Sequence, residues 1–407
     1  MKRYCEYKDS GVKWIGEIPG HWKCCKLKYF TRIKSGDALT NNALSDTGKY
    51  KVYGGGDFMG FYDKYNVDAN TILIGRVGAR CGCVTITEEK AWATDNALIL
   101  IHFNINTKFL TYLLVAANLN SLSISNAQPL ITGSKVKDSF IPIPPIEEQE
   151  AIVTYLDSKV AKIDEYISIA EKKIAALEEL KQTIIAEAVT RGIHKDVPMK
   201  DSGVKWIGEI PGHWDLKRTA MLFSENRKKN INYEFDHALK FNYGKLVSKN
   251  EIGDVSSLKE TYMAYTIINK NDIAINCLNL NYDFVSQRVA ISPQKGIITS
   301  AYLIITPRQG VEAMYYNYLF KAMDSKKLFH GMGTGIRLTL SFSELKKQQI
   351  PVPLLSEQQE IVTYIEEKVA NINQLCQAER SQIEKLKEYK QRLISDVVTG
   401  KVKVTND

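Results

Sequence analysis

Seven cysteines, six histidines and two glycine-rich stretches are where chemistry could reside in this 407-residue chain. Cys81-Gly82-Cys83 places two thiols together. A zinc site built on them needs a second CxxC or a His-x3-His, and neither follows. Tyr53-Gly54-Gly55-Gly56 and Gly331-Met332-Gly333-Thr334-Gly335 have the composition of phosphate-cradling loops. Such loops work between a strand and a helix, with an acidic partner about 20 residues on. Neither stretch has that context, so both read as turns. Gly133-Ser134-Lys135 lacks the upstream glycine of a phosphate-binding loop. Pro144-Pro145 is flanked by Ile143 and Ile146, not by the polar and aromatic residues of an amino-methyltransferase loop. No Pro-Asp dipeptide occurs, so the usual nuclease carboxylate pattern has no anchor. His21 and His213 occupy the same place in two copies of one motif, which points to architecture, since a single active site needs one copy. The chain reads as non-catalytic, with no catalytic residue, metal or cofactor of its own.

The elements around these residues form a repeat. Lys8 to Trp22 reads KDSGVKWIGEIPGHW, and Lys200 to Trp214 repeats the same fifteen letters 192 positions later. Ile141 to Leu156, IPIPPIEEQEAIVTYL, returns 209 positions later as IPVPLLSEQQEIVTYI at Ile350 to Ile365. The offsets differ by 17, so the second variable region is longer by that many residues. Each half has an opening motif, a variable region and a helix: shared ends with unlike middles.

The helices carry apolar residues at steps of three and four. In the first these include Ile152, Leu156, Val160, Ile163, Ile167, Ala170, Ile174, Leu177, Ile184 and Ala188, with Lys181 filling one position. In the second Ile361, Ile365, Val369, Ile372, Cys376, Ile383, Leu386 and Leu393 fall in line, with Glu379 and Lys390 interposed. Spacing sustained this long predicts a coiled-coil seam. Its middle positions, Ile163, Ile167, Ile174, Leu177, Ile372, Cys376, Ile383 and Leu386, are candidates for helix pairing and partner docking. Pro145 and Pro353 stand just before each helix, and Ser356 with Gln359 fits a capping box. Thr190-Arg191-Gly192 and Thr399-Gly400 supply the stops. Helices of about 44 residues would be rods of roughly 65 Å.

Short apolar runs at Thr71–Ile74, Ala97–Ile101, Asp272–Ile275 and Ala301–Ile305 predict strands. Phe109–Leu119 and Met314–Met323 predict short helices. Each variable region is therefore α/β or α+β. The expected boundaries are a first domain over 1–145, a long helix over 146–192, a second domain over 193–353, a second helix over 354–400 and a tail over 401–407.

Charge is uneven between these parts. Residues 23–140 hold 14 Lys/Arg against 9 Asp/Glu, and residues 215–349 hold 19 against 12. The helical segments 141–199 and 350–407 hold 7 against 11 and 8 against 9. The excess cation lies on the globular regions, where it suits a polyanion, and the helices are left for protein contacts. The first residues lack the apolar core of a signal peptide, and the longest apolar stretch, Tyr112 to Ala117, is too short to cross a bilayer. With an odd number of cysteines read as free thiols, a cytoplasmic protein is expected.

The Trp-Ile-Gly-Glu-Ile-Pro-Gly-His-Trp motifs and the Ile-Pro-x-Pro-x-x-x-Glu-Gln turns into long helices resemble the specificity subunits of type I restriction–modification systems. So do Gly55–Gly60, Ile72–Gly78, Thr94–Ala97, Gln128–Thr132 and Gly296–Tyr302. The resemblance covers essentially the whole chain. It implies two target recognition domains, each reading half of a split double-stranded DNA site, and two antiparallel helices that space the readers as a pseudo-twofold tandem repeat. It also implies docking of two methyltransferase subunits and, through them, restriction subunits. S-adenosylmethionine, ATP and Mg²⁺ belong to those partners. In an antiparallel pair centred on Ala170 and Glu379, Ile174 lies across from Cys376 and Ile163 from Leu386. Lys181 then faces Val369, and Val160 faces Lys390.

Arg and Lys pair with guanine, and Asn and Gln with adenine. That makes Arg76 and Arg80 around Gly78, and Gln128, candidates for DNA contact in the first region, with Lys245, Arg288 and Arg337 in the second. Trp14, Trp22, Trp206 and Trp214 read as anchors between domain and helix. Two other readings fit less of the chain: the specificity half of a fused methyltransferase–endonuclease, and a coiled-coil adaptor without a nucleic-acid role.

Overall fold

The computed structural model describes residues 2–123, 129–249, 255–333 and 338–405. It divides into two compact units, Met1–Glu171 with Arg380–Asp407, and Lys172–Glu379. Each unit holds one opening motif, one variable region and part of both long helices.

In the first unit the opening motif folds as a hairpin of β1 (Tyr7–Asp9) and β2 (Glu17–Pro19). Its turn depends on Gly11 and Gly16, whose φ values of 70° and 71° lie in the left-handed region that disfavours side chains. Ile15, Ile18 and Trp22 point into the core. β3 (Lys23–Lys26) pairs antiparallel with β11 (Phe140–Ile143), so the two ends of the variable region are tied together. Between them lie β4 (Thr31–Ser35), β5 (Tyr50–Gly54), β6 (Asp57–Tyr62), β7 (Ile72–Gly75), β8 (Val84–Ile86), β9 (Ala91–Ala93) and β10 (Ala97–His102). They form a four-stranded sheet ordered β4-β10-β7-β8 and a three-stranded sheet ordered β6-β5-β9. β7 is buried along its whole length, which explains its unbroken apolar run. Helix α1 (Thr107–Ala116), capped by the Asn106 side chain accepting from Phe109 N–H, packs Phe109, Leu110, Leu113 and Leu114 into the same core.

The second unit repeats this plan with different residues. β12 (Met199–Asp201) and β13 (Glu209–Pro211) form the hairpin, and β14 (Asp215–Arg218) pairs with β23 (Gln349–Val352). β15 (Phe223–Glu225), β19 (Ile273–Ile275), β20 (Val289–Ile291) and β22 (Leu303–Pro307) make a sheet ordered β15-β22-β19-β20, matching the first unit place for place. β16 (Leu239–Asn242) and β17 (Lys245–Ser248) form a second hairpin, and β18 (Thr266–Ile268) pairs with β21 (Gly296–Ile298). The short helix here is Ala313–Ser325. The strands and short helices expected from sequence all form, within two or three residues at their ends.

Two long helices, Ile146–Arg191 and Leu355–Val398, carry the repeated segments. Within each unit they run antiparallel. In the first, Lys390 Nζ meets Asp164 at 2.7 Å; in the second, Lys173 meets Glu379 at 2.5 Å and Lys181 donates to Asn373 at 3.3 Å. Lys390 and Lys181 thus reach one turn beyond Val160 and Val369. Helical side chains lean toward their own N-terminus, which in an antiparallel pair displaces both in this direction. Ile163, Ala170, Ile372, Cys376 and Ile383 are buried, while Ile167, Ile174, Leu177 and Leu386 are half-buried. Further along the first helix Ile185, not Ile184, enters the core of the second unit. A straight helix drifts by about 20° per heptad against a strict seven-residue repeat, and here the domain core takes over from the seam. Gly192 and Gly400 end the helices with φ of 74° and 76°, as expected. The capping box does not form as read: the second helix begins at Leu355, one residue before Ser356. Glu357 and Gln358 tie this end down instead, and the Gln358 amide donates to Pro353 O at 2.9 Å.

Candidate nucleic-acid interface

The repeated motifs are used up in holding each unit to its helix. Trp22 and Trp214 are fully buried and donate their indole N–H to Glu148 at 3.1 Å and Glu357 at 2.9 Å, in the first turns of the long helices. His21 and His213 contact the other oxygen of the same carboxylates, at 2.5 and 3.0 Å. Gln149 and Gln358 accept from the backbone N–H of Asn106 and Glu312, both at 2.9 Å, which joins the start of each short helix to the start of the long one. Trp14 and Trp206 lie half-buried against the two cores. The His-Trp and Glu-Gln pairs are thus two sides of one joint, made twice.

What differs between the units is the surface carried on this frame. In the first, the β5–β6 turn at Gly55-Gly56 abuts the connection from β7 to β8. A Cβ on Gly75 would fall 2.2 Å from the carbonyl oxygens of Gly55 and Arg80, so only glycine admits this approach. The connection is further pinned by Gly78 N–H to Pro129 O at 3.1 Å and Ile131 N–H to Arg76 O at 2.9 Å. Cys81 is buried there and donates its thiol to Arg76 O. Arg80 is exposed and pairs with Asp57 across the gap at 2.7 Å. Arg76 is half-buried; one guanidinium nitrogen reaches Ser35 Oγ at 3.4 Å, and its Nε is buried without a hydrogen-bond partner. The two arginines therefore share one short loop beside a hairpin tip, with Phe58 exposed on the adjacent strand.

The second unit brings together the matching parts, the β16–β17 turn at Tyr243-Gly244 and the β19–β20 connection over residues 276–288. They meet at Gly244, where a Cβ would lie 2.1 Å from Gln287 Oε1. Lys245 is exposed on the hairpin, as a DNA contact requires. On the short helix, burial and then the Lys245 charge push the Lys321 ammonium pKa down to about 8. Arg288 corrects the expectation placed on it. Its side chain is 0% exposed and its guanidinium donates to the carbonyls of Asn276, Leu278, Asn279 and Asp283 at 2.6 to 3.3 Å. A guanidinium so enclosed holds the loop from inside and has no face for a base. Gln128 and Arg337 lie outside the described residues. Sequence reasoning passed over the exposed apolar residues of this surface, Tyr243, Tyr282 and Val285. The available signal was a glycine, Gly244, between two short alternating runs, which is consistent with a hairpin although Tyr-Gly is not one of its usual pairs.

The sequence model for the type I restriction modification DNA specificity domain matches the chain twice, over residues 19–179 and 199–385. The chain belongs to this family. It is a DNA-specificity subunit, the recognition component and not the catalytic one. The type I restriction enzyme MjaVIII specificity subunit of Methanocaldococcus jannaschii is 23% identical, over 99% of this chain and 91% of that relative. The EcoprrI specificity subunit of Escherichia coli is 32% identical over 162 residues, 38% of this chain and 40% of its own. A chain solved under the description "Structural basis underlying complex assembly and conformational transition of the type I R-M system" shares the fold. Its TM-score is 0.66 at 14% identity, covering 94% of this chain and 98% of that one. Among the described residues of this specificity subunit, no helix is long and apolar enough to cross a membrane.

Proposed function

We propose that each unit reads one half of a bipartite, asymmetric duplex site with its hairpin tip and adjoining strand connection. One observation carries this reading: the same juxtaposition is built twice on matching frames, Gly55-Gly56 beside Arg80 and Tyr243-Gly244 beside Gln287, with unlike side chains. In the first unit Arg76 and Arg80 are the candidate contacts, and in the second Lys245, with Lys321 added. Phosphate contacts set register, and base-edge contacts set sequence. The long helices dock two methyltransferase subunits and, through them, restriction subunits, and the complex works in the cytoplasm. S-adenosylmethionine, ATP and Mg²⁺ act in those partners. Exposed apolar residues recur on the helices at the repeat offset: Tyr166 with Leu375, and Leu180 with Tyr389. Exchanging residues 23–140 for the corresponding region of another family member, with the cognate methyltransferase co-expressed, should change one half of the methylated motif. A change in both halves, or in neither, defeats the reading.

A further inference from the structure

Three apolar side chains of the second unit stand almost wholly in water: Tyr243 at 93%, Tyr282 at 80% and Val285 at 92% exposure. A lone exposed apolar residue is ordinary. These three sit on two segments that meet at Gly244 and Gln287, and both segments are set up at a cost. The two-residue turn between Asn242 and Lys245 has positive φ at both positions, 46° at Tyr243 and 70° at Gly244. Asn-Gly is the pair that fits such a turn. A bulky ring at the first position is conformationally disfavoured and gains no burial in return. A broken local rule at an exposed tip is a pointer to function.

The loop over residues 276–288 is equally deliberate. Arg288 is buried among four of its carbonyls, and the Asp283 carboxylate accepts from Val285 N–H at 3.1 Å and Ser286 N–H at 2.9 Å. Those backbone bonds, chiefly from Ser286, hold the Asp283 pKa below its ordinary value. Phe284 stacks on His330 with centroids 4.7 Å apart. Arg288, Asp283 and Phe284 thus hold the loop from within, while Tyr282 and Val285 project outward. Rigidity of this kind lowers the ordering cost of binding. Lys245, exposed on the hairpin directly after Gly244, makes the tip a place for a polyanion.

We propose that Tyr243, Tyr282 and Val285 form a preorganised apolar contact to base edges in the major groove, reading thymine methyl groups in one half-site. Arg288 is the positioning residue, and Lys245 and Lys321 take the flanking phosphates. A two-stranded ribbon fits that groove, and the base-specific partner it offers an apolar side chain is the thymine C5-methyl. The inference rests on the second unit being a DNA reader, and the test separates the two. The chain is co-expressed with its cognate methyltransferase in a host free of DNA methylation, and the modified motif is mapped by long-read sequencing. Val285→Ser and Tyr282→Ser should relax A·T positions in one half of the motif and leave the other half intact, while Tyr282→Phe preserves it. Replacing thymine by uracil at those positions should weaken binding of the wild-type complex by about 4-fold per methyl and leave the Val285→Ser complex nearly unaffected. An unchanged motif in the serine variants overturns the inference, as does indifference of the wild type to uracil. So does weakened methyltransferase assembly with an unchanged motif, which would make the tip a protein contact. A wild-type complex that modifies no two-part motif defeats the DNA-reading proposal itself.

Discussion

At the residue scale, identical letters in the two halves have matching roles, and this makes their energetics testable. Glu357 is nearly buried, and its two oxygens serve Trp214 and His213. Glu357→Ala should destabilise the second unit by about 2–4 kcal/mol, since it leaves a buried indole N–H unpaired along with the lost bonds. Glu357→Gln, which keeps an acceptor for the indole, should cost less. Denaturant unfolding of both variants measures the difference, and equal losses would show that the carboxylate is not the joint. Lys321 gives a pH prediction. Its pKa, pushed down to about 8 by burial and Lys245, means that charging it opposes folding. That penalty is fully present below pH 8 and fades as pH rises toward the ordinary lysine range near 10.4. A phosphate placed beside the ammonium restores the pKa upward, so DNA binding should take up protons around pH 8 to 9. Affinity should therefore fall across that window more steeply for the wild type than for Lys321→Met. Parallel pH profiles would remove Lys321 from the interface.

The long helices set the predictions at the scale of elements. In the second unit the pairs Lys173–Glu379 and Lys181–Asn373 run in opposite directions, and they bracket Ile174 and Cys376. Cys376 is buried and reduced, and Ile174 is half-buried. Ile174→Cys should crosslink to Cys376 within one chain under mild oxidation, because a disulfide needs Cα atoms within about 7 Å. Non-reducing electrophoresis, with a Cys376→Ser control, reads the outcome; no crosslink would contradict the antiparallel register. The surface ion pairs themselves contribute little stability. The buried apolar positions make the seam, which was legible as a spacing pattern; its antiparallel direction was implied by the family resemblance alone.

For the whole molecule the decisive property is duplication. If the exposed apolar helix positions dock a partner, their recurrence at Tyr166 and Leu375, and at Leu180 and Tyr389, calls for two copies of that partner. Native mass spectrometry of the chain with its cognate methyltransferase should give two partners per chain, and a fully active one-to-one complex would rule this out. On the proposed function, the duplicated frame carries unlike readers, one with two arginines in a short loop and one with lysines beside an apolar tip. A target with two different halves follows from that difference, while a duplicated reader would call for a symmetric one.

The repeat, the helices, the anchoring role of Trp22 and Trp214, and the family all followed from sequence. They rest on local rules: apolar period, turn chemistry, and identical letters under identical constraints. Arg288 shows where such rules stop. A lysine or arginine near glycine has the same letters whether it faces a phosphate or is enclosed by four carbonyls, because burial is set by residues distant in the chain. Tyr243, Tyr282 and Val285 are the converse case: their apolar character suggests a core, yet the fold leaves them in water at the meeting of a hairpin and a loop. Which residues share a surface depends on strand order and on close approaches such as those at Gly75 and Gly244. Those contacts join segments some 20 to 40 residues apart, and only the tertiary structure decides them.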